Sequence, residues 1–307
     1  MNEKEIVELI KQMSGAETIS KDGIYTNEGS PSWRAYRNAE RLTDVSAIPS
    51  LNSLLEKSKD RGTREHIFFI LGKIGENTGD KRVVTVLLQS LEEETNKYLK
   101  GRILDQLAGQ KNVEDCSLII TFITDKRAAI RQSAIQALRS CKSSDAEGAL
   151  IEVITRSNDE YDLTYANEVL SEVGTEKSIP YLVNLLNHPN GDVKCSALWT
   201  LTELGNTSLL PVFLEALNQR SVNVKSHALL AIKKHGNEMA IGPVIARIKT
   251  ILSRERTVES DDLITGLEFL ISYKENSEEI QKLFEWIRTK KWRYLFEEER
   301  VFITANS

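Results

Sequence analysis

Four histidines, three cysteines and a few closely spaced carboxylates are the side chains in this 307-residue chain with the means to do chemistry. The histidines (His66, His188, His227 and His235) stand alone, and no HExxH, GxSxG or phosphate-cradling glycine loop occurs. No catalytic residues, metal or cofactor are therefore expected. Cys116, Cys141 and Cys195 form no CxxC pair, and their spacings are 25 and 54 residues. An odd count without paired spacing predicts small buried apolar residues, no disulfide framework and a reducing cytoplasm. The remaining chemistry is recognition. Trp199 and Glu203 are four apart, as are Glu168 and Glu172, and Tyr165 is close by. An aromatic ring beside carboxylates suits a cationic group through ring attraction and ion pairing.

The elements that position these residues come from repetition. Six segments end alike: ILGKIGEN (70–77), ILDQLAGQ (103–110), ALRSCKSS (137–144), VLSEVGTE (169–176), TLTELGNT (200–207) and AIKKHGNE (231–238). The helix stops fall at Gly75, Ala108, Lys142, Gly174, Gly205 and Gly236, spaced 33, 34, 32, 31 and 31 residues. Glycine there would supply the left-handed conformation that ends a helix. Eight before each stop stand Ile67, Lys100, Ala134, Ala166, Ala197 and Ala228. Four before it stand Leu71, Leu104, Leu138, Leu170, Leu201 and Ile232. These two positions share one helical face. Eleven before the stop stand Arg64, Lys97, Arg131, Leu163, Lys194 and Lys225, five of them basic. A second apolar pattern precedes each helix, as in SIPYLVNLLN (178–187), so the unit is helix, turn, helix. Neither helix can hide its apolar face alone, and neighbours must stack.

The chain resembles the HEAT-repeat family, in its short form known from phycobilisome lyases. The resemblance rests on IRQSAIQAL (130–138), VKCSALWTLTELG (193–205) and VKSHALLAIKKHG (224–236). It implies an all-α, right-handed alpha-alpha superhelix with about six to seven repeats over 41–256. Residues 1–40 would form N-terminal capping helices and a loop, and 257–307 a C-terminal helical cap. It also implies that Arg64, Lys97, Arg131, Lys194 and Lys225 form a structural ladder, each pairing with the preceding turn, interrupted at Leu163. The family serves scaffolds, inhibitors, lyases and enzymes alike. An iron-dependent relative, deoxyhypusine hydroxylase, needs His-Glu pairs, and here the histidines precede Ile67, Pro189, Ala228 and Gly236. The bacterial alkylpurine DNA glycosylases with HEAT-like repeats set tryptophans and a carboxylate against a cationic base, an arrangement Trp199, Glu203 and Tyr165 share loosely.

Positions nine, six and two before each stop would face the groove. They are His66, Phe69 and Lys73; Leu99, Arg102 and Gln106; Ser133, Gln136 and Ser140; Tyr165, Glu168 and Glu172; Ser196, Trp199 and Glu203; and His227, Leu230 and Lys234. The expected binding residues are Tyr165, Glu168, Glu172, Trp199, Glu203, Arg102 and Phe69.

Net charge is −5, unevenly spread: residues 143–192 carry −8 and 219–256 carry +6. An acidic total argues against a nucleic-acid coat. The longest apolar runs, Ile67–Leu71 and Ala228–Ile232, are far too short for a membrane span, which needs about 20 residues. The basic and aromatic residues of 288–294 belong to the C-terminal cap, with Glu297, Glu298 and Glu299 beside them. The expectation is a non-catalytic, cytoplasmic, bacterial scaffold or adaptor. It would bind a basic segment of a partner protein in its groove, an immunity or regulatory protein being one instance. The alternative is an enzyme on the same scaffold. The oligomeric state is open.

Overall fold

In the computed structural model the described residues are all but 16–18, 22, 23, 112, 142 and 307, with backbone alone for 19–21, 24 and 25. Lys142, one of the expected stops, thus lies outside the described residues, as does part of the loop expected within residues 1–40. The chain forms two compact units, Met1–Val173 and Gly174–Ser307. Both are stacks of paired helices, and the fold class is the expected all-α superhelix.

The first unit opens with α1 (Glu3–Met13), a two-stranded antiparallel hairpin of β1 (Ile19–Lys21) and β2 (Ile24–Thr26), and α2 (Pro31–Glu40). The hairpin falls where the sequence reads as loop. Four pairs follow: α3 (Ile48–Lys57) with α4 (Arg61–Thr78), α5 (Lys81–Glu93) with α6 (Lys97–Ala108), α7 (Ser117–Thr121) with α8 (Ala128–Ala137), and α9 (Ser144–Arg156) with α10 (Glu160–Val173). The second helices pack in sequence, α4 on α6, α6 on α8 and α8 on α10. Helices α1 and α2 pack on each other and on α4.

The second unit repeats the plan. The pairs are α11 (Ile179–Leu185) with α12 (Gly191–Leu204), α13 (Leu210–Leu217) with α14 (Val222–His235), and α15 (Ile241–Ile251) with α16 (Asp262–Ile271). Helix α12 packs on α14, and α14 on α16. Helix α16 lies in the stretch the sequence assigns to the cap, yet it completes a pair. Then come α17 (Glu278–Trp286) and α18 (Glu297–Ala305).

Local chemistry explains the boundaries. Asp60, Asn96, Ser143, Asn190 and Ser221 cap the helices that follow by accepting backbone N–H bonds. Pro49, Pro180 and Pro211 sit in first turns, where a missing N–H costs nothing. The spacing argument holds at the core: Ala134, Ala166, Ala197 and Ala228 are fully buried, as are Leu71, Leu104, Leu138, Leu170, Leu201 and Ile232.

The stops need correction. Helix α4 runs past Gly75 and ends at Gly79, whose φ of 71° is left-handed. Gly75 is inside the helix, where a Cβ would collide with Gln110 and Val83. Gly205 and Gly236 do end helices, but with φ of −85° and −69°. There glycine answers a shortage of space: a Cβ would meet Leu201 and Leu209, or Ile232 and Phe269.

The cysteine expectation also fails in part. Cys116, just before α7, and Cys141, just after α8, are joined by a disulfide, with Cα atoms 6.3 Å apart. This removes the cysteine-based ground for a reducing compartment. Cys195 is free and buried, and burial, aided by Asp192, pushes its thiol up to about 11. Denatured, unreduced protein should therefore titrate as one thiol per chain, and as three after reduction; a thiol-reagent assay reads this directly.

The end of the chain is fastened by a buried ion pair between Arg256 and Glu299, 11% and 1% exposed. Arg256 Nη1 donates to Glu299 at 2.7 Å, Nη2 donates to the Tyr294 carbonyl at 2.9 Å, and the guanidinium lies 4.8 Å from the Phe296 ring centre. Removing one partner leaves the other charge buried and unpaired. Glu299→Ala should cost about 3–5 kcal/mol by urea unfolding, and the double variant Arg256→Met, Glu299→Leu much less.

Candidate functional site

The second helices carry the candidate site, and its register depends on the basic ladder. Arg64 Nη1 donates to the Leu55 and Ser58 carbonyls at 2.8 and 3.2 Å, closing the end of α3. Its Nη2 donates to Glu94 at 2.8 Å, in the turn before the next second helix. Burial would raise the Glu94 carboxyl, but the Asn96 N–H and Arg64 outweigh it and hold it below its ordinary value. Arg131 repeats the arrangement, donating to the Asp125 carbonyl at 3.0 Å, Asp162 at 2.5 Å and Asp159 at 2.9 Å. Lys194 meets Gln219 at 3.0 Å, and Gln219 donates to the Leu186 carbonyl at 3.3 Å. Lys225 is half-buried and has no ion pair among the described residues.

Lys97 does not occupy this position. It is the exposed first residue of α6, and Lys100 does the closing, donating to the Leu91 carbonyl at 3.2 Å. The second repeat was read three residues early. Its groove positions are Arg102, Asp105 and Gly109, and Leu99 is buried.

In the first unit this face is a row of ion pairs beside aromatic rings. The Tyr98 hydroxyl donates to Glu65 at 2.7 Å, and Arg102 Nε meets the same carboxylate at 3.0 Å. The Arg102 guanidinium also reaches Asp105 at 3.4 Å and lies 4.9 Å from the Tyr98 ring centre. Ser133 donates to Asp105 at 2.7 Å. Lys73 pairs with Glu76 at 2.6 Å and lies 5.9 Å from the Phe69 ring centre. A pocket of about 310 Å³ is lined by Tyr36, Glu65, His66, Phe69, Arg102 and Asp105, with Phe68 and Gln106.

His66 does not face the groove as its spacing suggests. It is 8% exposed, because α1 and α2 cover it. Ser14 Oγ donates its one hydrogen to the Ile10 carbonyl at 2.9 Å, so it accepts from His66 Nδ1 at 3.3 Å. That assignment leaves Nε2 to accept the Tyr36 hydroxyl at 3.0 Å. Burial pushes the imidazole below its ordinary 6.5, against the opposing pull of Glu65 and Asp60. Burial also raises the Tyr36 phenol, aided by Glu65.

Glu168 and Glu172, on α10 with half-buried Tyr165, are not free carboxylates. Arg139 bridges them, at 2.8 and 3.5 Å. In the second unit Glu203 is held by Lys234 at 2.9 Å, while Trp199, on the same helix, is 46% exposed. Burial lowers His227 as it does His66. The five binding residues read as one cluster thus fall in two units, three on α10 and two on α12. The charge-run reading missed that their acids have internal partners: Arg139 lies some thirty residues from its glutamates, beyond any local spacing rule. Among the described residues no three His, Cys, Asp or Glu side chains gather as a metal ion requires. No helix among them is long and apolar enough to cross a membrane.

The site and fold define a helical-repeat scaffold. Residues 179–256 match the family of HEAT repeats, and this segment is built of them. No curated protein matches the chain in sequence. The fold recurs in the solved structure of YibA from Escherichia coli, at 17% identity over 94% of this chain and 97% of that one, with a TM-score of 0.58. It recurs in an engineered protein at 16% identity over 100% and 89%, with a TM-score of 0.52. The complex of CpcE and CpcF of phycocyanin lyase from Nostoc sp. PCC7120 is similar at 18% identity over 79% and 94%, with a TM-score of 0.46.

Buried His66 and half-buried His227 set a pH dependence. Their folded-state values lie below 6.5, so the unfolded chain takes up protons more readily. Their contribution is complete above 6.5 and is lost as pH falls through that value toward the folded ones. The urea midpoint should fall from about pH 7 to about pH 5.5, and less steeply in His66→Gln, where the amide needs no proton.

Proposed function

We propose that the protein is a non-catalytic helical-repeat scaffold that binds a basic segment of a partner protein along the groove face of its second helices. The observation that carries this reading is a charge imbalance that survives internal pairing. On the first unit's face Lys73, Arg102 and Arg139 meet Glu65, Glu76, Asp105, Glu168 and Glu172, three cations against five carboxylates. Phe69, Tyr98 and Tyr165 lie among them. Arg102, held between two carboxylates over a tyrosine ring, is an internal example of the contact a partner's arginine would make. Trp199 beside Glu203 offers the same pairing of ring and carboxylate on the second unit. An immunity or regulatory protein is one instance of this class.

The carboxylates give steering and selectivity as much as affinity, since exposed pairs are individually weak. A labelled oligo-arginine peptide should bind the full chain in fluorescence polarisation, and an oligo-glutamate peptide should not. Glu168→Gln with Glu172→Gln should weaken binding about tenfold, or about 1.4 kcal/mol. Trp199→Ala with Glu203→Ala should do the same. Equal binding of the two peptides, or no effect of either double variant, would overturn the reading.

A further inference from the structure

The second unit uses several of its cations internally. Lys233 pairs with Glu268, Lys234 with Glu203, Arg247 with Asp262, and Arg256 with Glu299. Much of the +6 stretch is therefore spent on holding helices together. The turn after α17 differs. There the helix widens into a π turn, Ile287–Lys291, followed by a 3-10 turn, Trp292–Tyr294. Such widened turns recur at functional sites. Arg288, Lys290, Lys291 and Arg293 fall within six residues, and none has an ion pair among the described residues.

This turn is built firmly. Leu283, Phe284, Ile287 and Leu295 are buried beneath it. Lys291 is held over the rings of Trp286 and Tyr294, at 5.2 and 4.8 Å from their centres. Arg293 lies 4.9 Å from the Tyr294 ring centre and donates to its hydroxyl at 2.9 Å. Trp292 is 38% exposed, between the cations. The nearby acids in sequence are Glu285 on α17 and Glu297 and Glu298 on α18, of which Glu297 is engaged by Arg300 at 3.5 Å.

We infer that this turn binds single-stranded nucleic acid, with phosphates on Arg288, Lys290 and Arg293 and a base stacked on Trp292. Unpaired cations alone would fit any polyanion. The exposed ring selects among them, because an unpaired base offers a face to stack on and a paired one does not. An acidic peptide has no such group. None of these residues belongs to the carboxylate row of the proposed protein-binding face, and neither reading depends on the other.

Fluorescence anisotropy of the full chain with a labelled twelve-residue oligothymidylate tests this. Affinity should fall linearly in log salt, with a slope of about −2 for three phosphate contacts. Lys290→Glu with Arg293→Glu should weaken binding at least tenfold. Trp292→Ala should weaken it about tenfold and Trp292→Phe only slightly, with thermal unfolding of each variant checking the fold. Lys249→Glu, at an exposed cation of α15, should leave affinity unchanged. No binding at low salt would overturn the inference. So would an equal loss in Lys249→Glu, no effect of Trp292→Ala in folded protein, or competition by oligo-glutamate or anionic phospholipid vesicles as strong as that of unlabelled oligothymidylate.

Discussion

Every helix in this protein has an apolar face that it cannot cover by itself, and only a neighbouring helix of the same kind can cover it. That constraint places alanine and leucine at fixed positions on the second helices, where they are buried to completion. It also demands close approach. On α4 a Cβ at Gly72 or Gly75 would collide with Gln106 or Gln110, so the gap to the next repeat is set by glycine on one side and an amide side chain on the other. Gln110 Nε2 donates to the Gly72 carbonyl at 3.0 Å, so the contact is also a hydrogen bond.

The charged residues follow from that packing. A helix end left between stacked repeats has carbonyls to satisfy, and Arg64, Lys100 and Arg131 satisfy them while reaching into neighbouring turns. The same economy appears within each unit, where Arg102 and Arg139 in the first and Lys234 in the second each meet an acid from another helix. These residues thus form a lattice of weak exposed pairs with aromatic rings set into it. Exposed pairs of this kind are individually weak, so exchanging an internal partner for an external one costs little.

Most of the fold was legible in the sequence because its signals are local. The 3.6-residue spacing, the capping residues and the prolines in first turns each act within one helix. The slip at α6 has a specific cause: Lys97 and Lys100 are both basic, Leu104 and Leu107 both apolar, and three residues is nearly one helical turn. The Cys116–Cys141 bond was not legible, since its distance depends on α7 being only five residues long. His66 was placed on the groove by its repeat position but is covered by α1 and α2, which lie outside the repeat. The partners of Glu168, Glu172 and Glu203 were hidden for the same reason: they sit about thirty residues away, and only stacking brings them near.

The joints between repeats are not made of the same material. Arg64 with Glu94, and Arg131 with Asp159 and Asp162, are ionic, whereas Lys194 reaches its neighbour through the amide of Gln219. Acid that discharges Glu94 therefore loosens that seam of the first unit, while the Gln219 seam of the second has no carboxylate to lose. One joint is open to acid and another is closed to it, through the choice of one amide over a carboxylate.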